Sequence, residues 1–437
     1  MCCAGWEPKG EAALRRGRPR QALPRQDRAC IRCGMSFRPR KRYSARPWRL
    51  IPDRRPRIRR LVLGDFRSYP ALDLHLTGAP VVLAGHNGAG KTNLLEALSF
   101  FTPGRGLRRA EIGDCARDTG PGGWAVSIEV EDEAVAVPAV QLGTGLQRPD
   151  GASPATRRCR IDRAAVPSAK AFAEHLRVVW LTPAMDGLFG GPASERRRFL
   201  DRIVLTVDSE HGTRVTALER ALRNRNRVLE DGRASGRIDA AWAEAAEREV
   251  AALGVAVAAA RHETVARLAA LIAAHRDDNS PFPWAGIAVM GAVEALVAEH
   301  SALDAEDRYC AMLRDARLRD AGAGRTSVGP HLSDLVVRHG PKDAEATRSS
   351  TGEQKALLVG LVLASARLVT AMSGIAPLVL LDEIAAHFDP LRRRALYEEL
   401  AALGGHVFVT GADPALFADL RSVEPFDVRP GAVVAAG

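Results

Sequence analysis

A glycine-patterned segment at residues 85–92 constrains the fold more strongly than any other part of this sequence. It has the form G-x-x-x-x-G-K-T, and it stands between a short apolar run at residues 81–84 and a helix-compatible segment at residues 93–100. Such a loop follows a buried strand and opens a helix, so that backbone N–H groups surround phosphate oxygens. The pattern therefore predicts an α/β domain with a phosphate-binding site. Both flanking elements argue against a glycine-rich turn that matches by chance.

The residues of this segment have distinct expected roles at a bound nucleoside triphosphate. The glycines let the backbone turn its N–H groups inward, Lys91 places charge at the β- and γ-phosphate oxygens, and Thr92 is an expected Mg²⁺ ligand. The positive end of the following helix points at the same phosphates. The expected ATP-binding residues are Gly85, His86, Asn87, Gly88, Ala89, Gly90, Lys91, Thr92 and Asn93.

Two adjacent acids end a second apolar run, 291 residues beyond Lys91. Residues 378–381 read Leu-Val-Leu-Leu and lead into Asp382 and Glu383. Acidic residues often begin loops, so the pattern is weak on its own, but downstream of a phosphate loop it is typical of a Walker-B strand. We expect Asp382 to hold Mg²⁺, directly or through water, and Glu383 to orient and polarise the attacking water. Lys91, Asp382 and Glu383 are the expected catalytic residues.

Residues 349–355, Ser-Ser-Thr-Gly-Glu-Gln-Lys, precede a long apolar helix and resemble the ABC signature. In that signature a serine and a glycine at a helix start contact the γ-phosphate bound by the opposite subunit. The pattern also fits a helix cap, because Ser350 followed by Glu353 forms a capping box, and one helix start can be both. The expected signature residues, acting in trans, are Ser350, Gly352, Glu353 and Gln354. The expected D-loop residues at the dimer seam are His387 and Asp389.

Together these motifs resemble the RecF family, within the group that includes SMC proteins and DNA-repair ABC ATPases. The phosphate loop continues as Lys-Thr-Asn-Leu-Leu-Glu-Ala-Leu, the form of this DNA-repair branch. Several further segments resemble RecF in the same order along the chain, so the resemblance covers residues 57–437. These segments are residues 103–109, Pro192 with residues 196–201, residues 223–226, and residues 329–331 with Asp334.

The resemblance implies an α/β, ABC-type ATPase head with a mixed sheet, interrupted by a helical lobe. It implies an ATP-dependent homodimer with Mg²⁺ that clamps DNA, and weak, DNA-stimulated hydrolysis that resets the clamp. It also implies binding to single- and double-stranded DNA at gaps or junctions, and partnership with RecR and RecO in loading recombinase. Recombinational repair, replication restart and SOS induction are the processes implied.

Three other classes of function remain open at the level of sequence. One is a binding platform in which ATP is a structural ligand. Another is an SMC-like chromosome ATPase, which the absence of long heptad arms disfavours. The third is a transporter ATPase subunit, which predicts a much shorter path between the two phosphate motifs than the 291 residues found. The chain also departs from transporter heads, because Thr410 stands where a switch histidine is expected and no Q-loop glutamine is evident near Thr182.

Arginine clusters on the body of the chain are the candidates for DNA contact. The guanidinium fork suits phosphate oxygens. Two alternatives stay open, namely that these arginines form surface salt bridges or that they contact the nucleotide. No series of aromatic residues interleaved with basic ones is evident, which disfavours base stacking. The candidate residues are Arg105, Arg108, Arg109, Arg196, Arg197 and Arg198.

The positive charge of the chain is concentrated at its start. Residues 1–60 contain 19 Lys and Arg against 4 Asp and Glu, whereas the remainder contains 43 against 48. Proline is frequent there and apolar periodicity is absent, so residues 1–56 are expected to be a disordered basic extension. The extension is either extraneous or a tail that attracts nucleic acid. Its Cys30-x-x-Cys33 pair has the spacing of half a zinc site, with Cys2 and Cys3 as candidate partners.

Hydrophobic periodicity divides the rest of the chain into three expected parts. Strand-like and helix-like segments alternate in residues 57–208 and again in residues 326–437, which together form the ATPase head. Apolar spacings of three and four residues predict a helical lobe at residues 209–325. The apolar stretches at residues 250–260 and 356–366 are each about half as long as a membrane span, so we expect buried helices. Because no secretory signal pattern opens the chain, the protein is expected to be cytoplasmic.

Overall fold

The structure is a computed structural model that describes residues 52–147 and 156–436 of the chain. The strands are β1 Pro56–Phe66, β2 Tyr69–His75, β3 Val81–Ala84, β4 Trp124–Asp132, β5 Val140–Leu146, β6 Arg157–Ile161, β7 Ala164–Val166, β8 Val178–Leu181, β9 Ala285–Met290, β10 Asp334–His339, β11 Ala344–Glu345, β12 Leu378–Leu381, β13 Val407–Gly411, β14 Glu424–Arg429 and β15 Ala432–Ala435. The helices are α1 Lys91–Ser99, α2 Ala193–Val207, α3 His211–Ala234, α4 Ala240–Ala274, α5 Ala292–Glu299, α6 Ala302–Asp315, α7 Arg317–Ala323, α8 Thr351–Ser373 and α9 Pro390–Leu403.

The head is organised around a central sheet whose parallel strands come from distant parts of the chain. The strand order is β15-β14-β3-β13-β12-β8, and every pairing is parallel except that of β15 with β14. The strands β3, β8 and β12 are apolar runs that are buried throughout. A parallel sheet covered on both faces requires continuous apolar runs of this kind. The sequence prediction of β3 and β12 is therefore confirmed.

Two hydrophobic cores lie on opposite faces of the central sheet. Alternate residues of its strands, such as Val82 and Leu381, pack with α2, α4 and α8 in one core. The others, such as Leu83 and Leu380, pack with α1 and with a second, antiparallel sheet of order β2-β1-β4-β5-β6-β7. In β4 every second residue is buried, as in a sheet that is covered on one face. The head is thus a layered, ABC-type α/β architecture, as the sequence predicted.

The lobe that interrupts the head is built from α3 to α7, packed around the 35-residue helix α4. The segment predicted as helical, residues 209–325, also contains β9, which pairs antiparallel with β10. The short strand β11 extends the same sheet. No sequence pattern marks β9 as a strand, because the small residues Ala285, Gly286 and Ala288 have low strand propensity. Its partner strand also follows only after three further helices.

The helix α8 is long and apolar enough to cross a membrane by length and composition alone. In this fold, 72% of its most apolar window is buried inside the protein. Leu357, Leu361 and Leu368 are almost completely buried in the core that covers the central sheet. The apolar composition of α8 is therefore explained by its place in the core, in agreement with the buried helix predicted from the sequence.

The described chain begins within the segment that the sequence assigns to a basic extension. Residues 1–51 lie outside the described residues, together with the cysteines Cys2, Cys3, Cys30 and Cys33. Arg54, in contrast, forms an ion pair with Asp132 at 2.7 Å and donates to the carbonyl oxygen of Glu174 at 2.6 Å. Pro56 already begins β1. The residues from Arg54 onward therefore belong to the head, slightly before the predicted boundary at residue 57.

A charged network is buried inside the lobe. Arg225 of α3 is fully buried, and its Nη1 lies 2.8 Å from Oδ2 of Asp320, which is also buried. Arg225 donates further hydrogen bonds to Thr326 Oγ1 and to the carbonyl oxygen of Leu313. Its Nε lies 3.6 Å from Glu247 of α4. One guanidinium group thus joins α3 to α4, α6 and α7.

Replacing Arg225 with methionine should destabilise the lobe, because Asp320 and Glu247 would lose a buried cation. Removing one partner of a buried ion pair costs about 3–5 kcal/mol. Arg223→Met is the matched control, since Arg223 is exposed on the same helix and should change the free energy of unfolding by less than about 0.5 kcal/mol. Urea unfolding followed by circular dichroism measures both variants. Equal effects would contradict the assigned network.

Candidate active site

The predicted phosphate loop joins β3 to α1 in the structure. Gly88 and Gly90 have φ angles of 83° and 110°, a left-handed conformation in which other residues are strained. A Cβ atom on Gly90 would also lie 2.8 Å from the hydroxyl oxygens of Ser68 and Tyr69. The absence of a side chain at Gly90 therefore allows the hairpin of β1 and β2 to pack against the loop.

The side chain of Lys91 lies within the phosphate loop that precedes this residue in the chain. Its side chain is 4% exposed, and Nζ donates hydrogen bonds to the carbonyl oxygens of Gly85 at 2.6 Å and His86 at 3.0 Å. The side chains of His86 and Asn87 are exposed, so the loop faces solvent on one side. The lysine charge is thus fixed within a loop of backbone N–H groups, an arrangement that suits an anionic phosphate group.

Asp382 stands directly after β12, beside the start of α1. Thr92 Oγ1 donates to its two carboxylate oxygens at 3.0 and 3.1 Å, and Thr410 Oγ1 donates to Oδ1 at 2.8 Å. Burial raises the pKa of Asp382, and the two hydroxyl donors act against that rise. Oxygen ligands of this kind are those that Mg²⁺ prefers. The predicted Mg²⁺ ligands, Thr92 and Asp382, therefore lie together and fit that ion.

Glu383 has a strained backbone conformation, with a φ angle of 52°. Such values cost about 1–3 kcal/mol and persist only where the surroundings hold them. The hydroxyl oxygen of Thr410 accepts a hydrogen bond from the Glu383 N–H at 2.9 Å, and the Glu383 carboxylate lies 3.7 Å from Lys91 Nζ. One hydroxyl group on β13 therefore positions both acids, because it donates to Asp382 and accepts from Glu383.

The contact of Thr410 with the Walker-B acids was not predicted from the sequence, in which Thr410 stands out only as a departure from transporter heads. A signal was present, because Thr410 is a hydroxyl residue in the strand Val407–Gly411, whose residues are all buried. A buried hydroxyl group requires a hydrogen-bond partner. Which partner it finds depends on the order of the strands, which the sequence does not reveal.

Two arginines converge on the helix that follows the phosphate loop. Glu96 of α1 is fully buried, Arg67 donates to both of its carboxylate oxygens at 2.9 Å, and Arg108 Nη1 lies 3.1 Å from Oε2. Arg108 also donates to Asn93 Oδ1 at 2.6 Å, and Asn93 donates to Ser68 Oγ at 2.9 Å. Arg108, a candidate for DNA contact, therefore lies beside the phosphate loop. Contact with the nucleotide, the alternative role for these arginines, stays open for Arg108.

The predicted signature lies at the exposed start of α8. Ser350 caps the helix by accepting from the Glu353 N–H, and the Glu353 carboxylate accepts from the Ser350 N–H at 3.1 Å, so the expected capping box is present. The hydrogen bond from Lys342 is the largest cause that lowers the pKa of Glu353, to about 2. A Cβ atom on Gly352 would meet open space, and Gln354 Nε2 donates to the carbonyl oxygen of Ser349.

The helix α8, which begins at the signature, is much longer than the strands of the central sheet. It packs on the sheet and ends shortly before β12 begins. With 23 residues the helix is about 34 Å long, whereas the four residues of β12 span about 13 Å. Lys355, near the helix start, contacts Asp186 at 2.8 Å, and Asp186 follows the carboxyl end of β8. Ser350 and Gly352, at the start of this helix, are exposed.

The predicted D-loop follows the two acids on the surface of the head. A short 3-10 turn, Ala385–His387, leads to Asp389. The exposed carboxylate of Asp389 accepts from the Arg392 N–H at 2.9 Å and caps α9. The side chain of His387 lies outside the described residues. The position of Asp389 is compatible with the expected dimer seam.

Two of the arginines predicted for DNA contact join α2 to β10. Arg196 Nε and Nη2 donate to the two carboxylate oxygens of Asp334 at 2.8 and 2.7 Å. Arg197 Nη1 donates to the carbonyl oxygen of Ser333 at 2.7 Å. Arg196 thus forms a salt bridge, one of the two alternatives to DNA contact, whereas Arg197 donates to a backbone carbonyl.

The remaining candidate arginines form surface ion pairs. Arg105 contacts Glu111 at 2.5 Å, and Arg109 contacts Glu195 at 2.9 Å. Arg198 also contacts Glu195. Exposed pairs of this kind contribute at most about 1 kcal/mol, so they can exchange their partner for a phosphate group.

Comparison with known proteins finds relatives that carry the name RecF. A family model described as the RecF/RecN/SMC N terminal domain matches residues 57–424. The DNA replication and repair protein RecF of Allorhizobium ampelinum is 52% identical over 366 residues, which are 83% of this chain and 94% of that protein. The RecF protein of Rhizobium meliloti is 51% identical over 360 residues, which are 82% of this chain and 93% of that protein.

Solved structures show the same fold. The recombination mediator protein RecF-ATPrS in the RecFOR pathway matches with a TM-score of 0.77 at 18% identity, covering 89% of this chain and 100% of that chain. The corresponding RecF-ATP structure matches with a TM-score of 0.76 at 19% identity, covering 88% of this chain and 98% of that chain. The predicted head architecture is therefore confirmed.

Thr410→Val should slow turnover and leave nucleotide binding largely intact, because valine keeps the shape of the side chain but removes the hydroxyl that positions the two acids. Each hydrogen bond removed contributes about 0.5–1.5 kcal/mol, so kcat should fall about tenfold to a hundredfold. Thr410→Ser keeps the hydroxyl group and should retain most of the activity. Steady-state ATPase kinetics and nucleotide titration separate the two effects. Equal kcat values for both variants would contradict the positioning role.

Proposed function

The chain belongs to the RecF family of DNA replication and repair proteins, and on that premise we propose that it is an ATP-driven clamp on DNA. The observation that carries the proposal is the meeting of the phosphate loop with Asp382 and Glu383 at one edge of the central sheet. The signature lies exposed at the start of α8. Such a site holds a nucleotide on one copy and presents the signature to another.

The residues of the site have separate parts in binding and hydrolysing ATP. The loop N–H groups and Lys91 hold the triphosphate, because they present fixed positive charge in a partly buried position. Thr92 and Asp382 would hold Mg²⁺, which when bound neutralises charge on the phosphate oxygens. Glu383 orients and polarises the attacking water, while Thr410 fixes the backbone of Glu383.

A second copy of the chain completes the site in this proposal. Ser350 and Gly352 of one copy contact the γ-phosphate bound by the other, where the positive end of α8 favours an anion. Residues Asp389 and His387 lie at the seam between the copies. ATP binding therefore closes a homodimer, and hydrolysis opens it because the γ-phosphate no longer joins the two copies.

The closed dimer grips DNA at gaps and junctions, and weak hydrolysis stimulated by DNA resets it. RecR and RecO are the partners with which it helps to load recombinase, in recombinational repair, replication restart and SOS induction. The protein acts in the cytoplasm in this proposal. The RecF names of the relatives support the proposal, and the lobe dimensions do so independently.

The lobe favours this function over that of an SMC-like chromosome protein. α3 and α4, the longest helices in the described parts of the chain, have 24 and 35 residues and extend about 36 and 52 Å. They pack against each other and against shorter helices in a compact lobe. A binding platform that uses ATP only as a structural ligand would have no use for the strained Glu383 beside the loop.

Glu383→Gln should trap an ATP-bound dimer on DNA, because the amide keeps the size of the side chain but cannot act as a base. General-base catalysis contributes about 10²–10⁴-fold, so hydrolysis should fall by that factor while nucleotide binding persists. Chasing labelled DNA with unlabelled competitor in Mg·ATP measures release. Release as fast as from the unchanged protein would favour the platform function instead.

Ser350→Arg should block ATP-dependent dimerisation and leave ATP binding by a single copy intact, because the arginine obstructs the signature surface. Ser301→Arg is the matched control, since Ser301 is also an exposed N-cap serine, on α6 of the lobe. Both variants lose one helix cap, so their stabilities should fall by a similar amount, about 1 kcal/mol. Sedimentation velocity with Mg·ATP distinguishes them. Loss of dimerisation in both variants would show that the signature has been misassigned.

A further inference from the structure

A shallow groove crosses the outer face of the antiparallel sheet on β4, β5 and β6. We call it the sheet groove. It encloses about 480 Å³. Its floor consists of residues with small side chains or none, which face one another across β4 and β5: Ala125, Ser127, Gly143 and Gly145. β6 borders the floor on one side, where Arg160 pairs with Gly143 and Arg158 pairs with Gly145.

Three arginines line the border of the sheet groove, namely Arg158, Arg160 and Arg163. All three are exposed, and none forms a side-chain hydrogen bond or ion pair with another residue that the structure describes. The inward-facing arginine of the same strand, Arg157, donates to Thr144 Oγ1 at 2.8 Å and to a backbone carbonyl beyond α1. The arginine on the inner face of β6 is thus engaged in the packing of the fold, whereas the arginines on the outer face are available to a ligand.

Gly143 keeps the sheet groove open although the packing does not demand glycine there. A Cβ atom on Gly143 would lie 3.9 Å from the Cβ of Arg160, which is an ordinary contact. Gly145 differs, because a Cβ atom there would lie 2.5 Å from the carbonyl oxygen of Trp124. The open space beside Arg160 is therefore not explained by the packing of the sheet.

The turn that carries Arg163 is strained. Asp162 and Arg163 form the two-residue turn between β6 and β7, with φ angles of 48° and 70°. Turns of this kind favour glycine at the second position. Two other arginines with positive φ, Arg67 and Arg109, are each held by an ion pair. Arg163 has no such ion pair within the described chain, so its guanidinium group is available to a ligand.

We propose that the sheet groove binds the sugar–phosphate backbone of double-stranded DNA, with Arg158, Arg160 and Arg163 as phosphate ligands. The inference rests on the proposed clamp function and names the surface that touches the DNA. Guanidinium forks match phosphate oxygens in two-pronged geometry. Acids outnumber bases after residue 60, with 48 against 43, so a local group of unpaired arginines is the feature that attracts a polyanion.

The chemistry of the sheet groove selects the phosphate backbone over the bases. Its floor offers no aromatic ring for stacking, because the ring of Trp124 faces the core and the residue is 4% exposed. Proteins that bind single strands rely on such stacking, whereas a duplex presents its phosphates outward. Binding in the sheet groove is therefore independent of base sequence and weakens steeply with salt.

The test is a titration of a short mixed-sequence duplex with the full chain in Mg·ATP, at several salt concentrations. The double variant Arg158→Ala/Arg160→Ala should weaken binding and reduce the slope of log affinity against log salt by about 0.9 for each phosphate group that is no longer neutralised. Arg163→Gly should also weaken binding, but with an unchanged or higher melting temperature, because glycine relieves the strained turn. Gly143→Glu should weaken it by placing a carboxylate in the groove.

The matched control is Arg248→Ala/Arg308→Ala. These arginines are exposed on the lobe helices α4 and α6, so the variant removes the same charge elsewhere and should keep the original affinity and salt slope. Equal weakening in the control would overturn the proposal. A groove variant that binds the duplex normally would also overturn the proposal. If that variant had lost the binding of polyglutamate that the unchanged protein shows, the groove would be assigned to an acidic protein segment. Failure of the unchanged protein to bind the duplex would overturn the groove proposal, whereas failure to bind gapped and junction DNA as well would refute the clamp function itself.

Discussion

The hydrogen bond from Thr92 to Asp382 joins two halves of the head that are 290 residues apart in the chain. It can form only because β13 lies between β3 and β12 in the parallel sheet. Thr410, on β13, adds a second bond to the same carboxylate. The site therefore depends on this parallel pairing, which sets Thr410 between the strand of the phosphate loop and the strand of the acids. The lobe inserted between the halves does not disturb it.

The two faces of the antiparallel sheet have different roles. Its inner face packs on α1, the helix that opens the phosphate loop, through residues such as Trp124 and Leu142. Its outer face carries the sheet groove. β6 contributes to both, since Arg157 holds the segment after α1 while Arg158 and Arg160 point outward. The proposed DNA surface is therefore separated from the nucleotide site by this sheet and by α1.

The strands β3 and β12 could be predicted because a buried parallel strand is written in the sequence as a continuous apolar run. The phosphate loop and the capping box at Ser350 could be predicted because each is formed by residues close together in the chain. The role of Thr410 could not, because its partners are set by strand order. The arginines illustrate the same limit, since Arg196, which pairs with Asp334, and Arg160, which has no described partner, look alike in a sequence. Only interactions between distant parts of the chain distinguish a structural guanidinium group from one that is available to DNA.

The most direct test of a site shared between two copies is complementation between two inactive variants. Lys91→Ala loses the lysine of the phosphate loop and keeps the signature, whereas Ser350→Arg keeps the loop and loses the signature. A mixed dimer contains one complete site, formed by the loop of the second variant and the signature of the first. We expect an equimolar mixture to hydrolyse ATP faster than either variant alone at the same total protein concentration. A rate that is only the average of the two separate rates would contradict a nucleotide held between two copies.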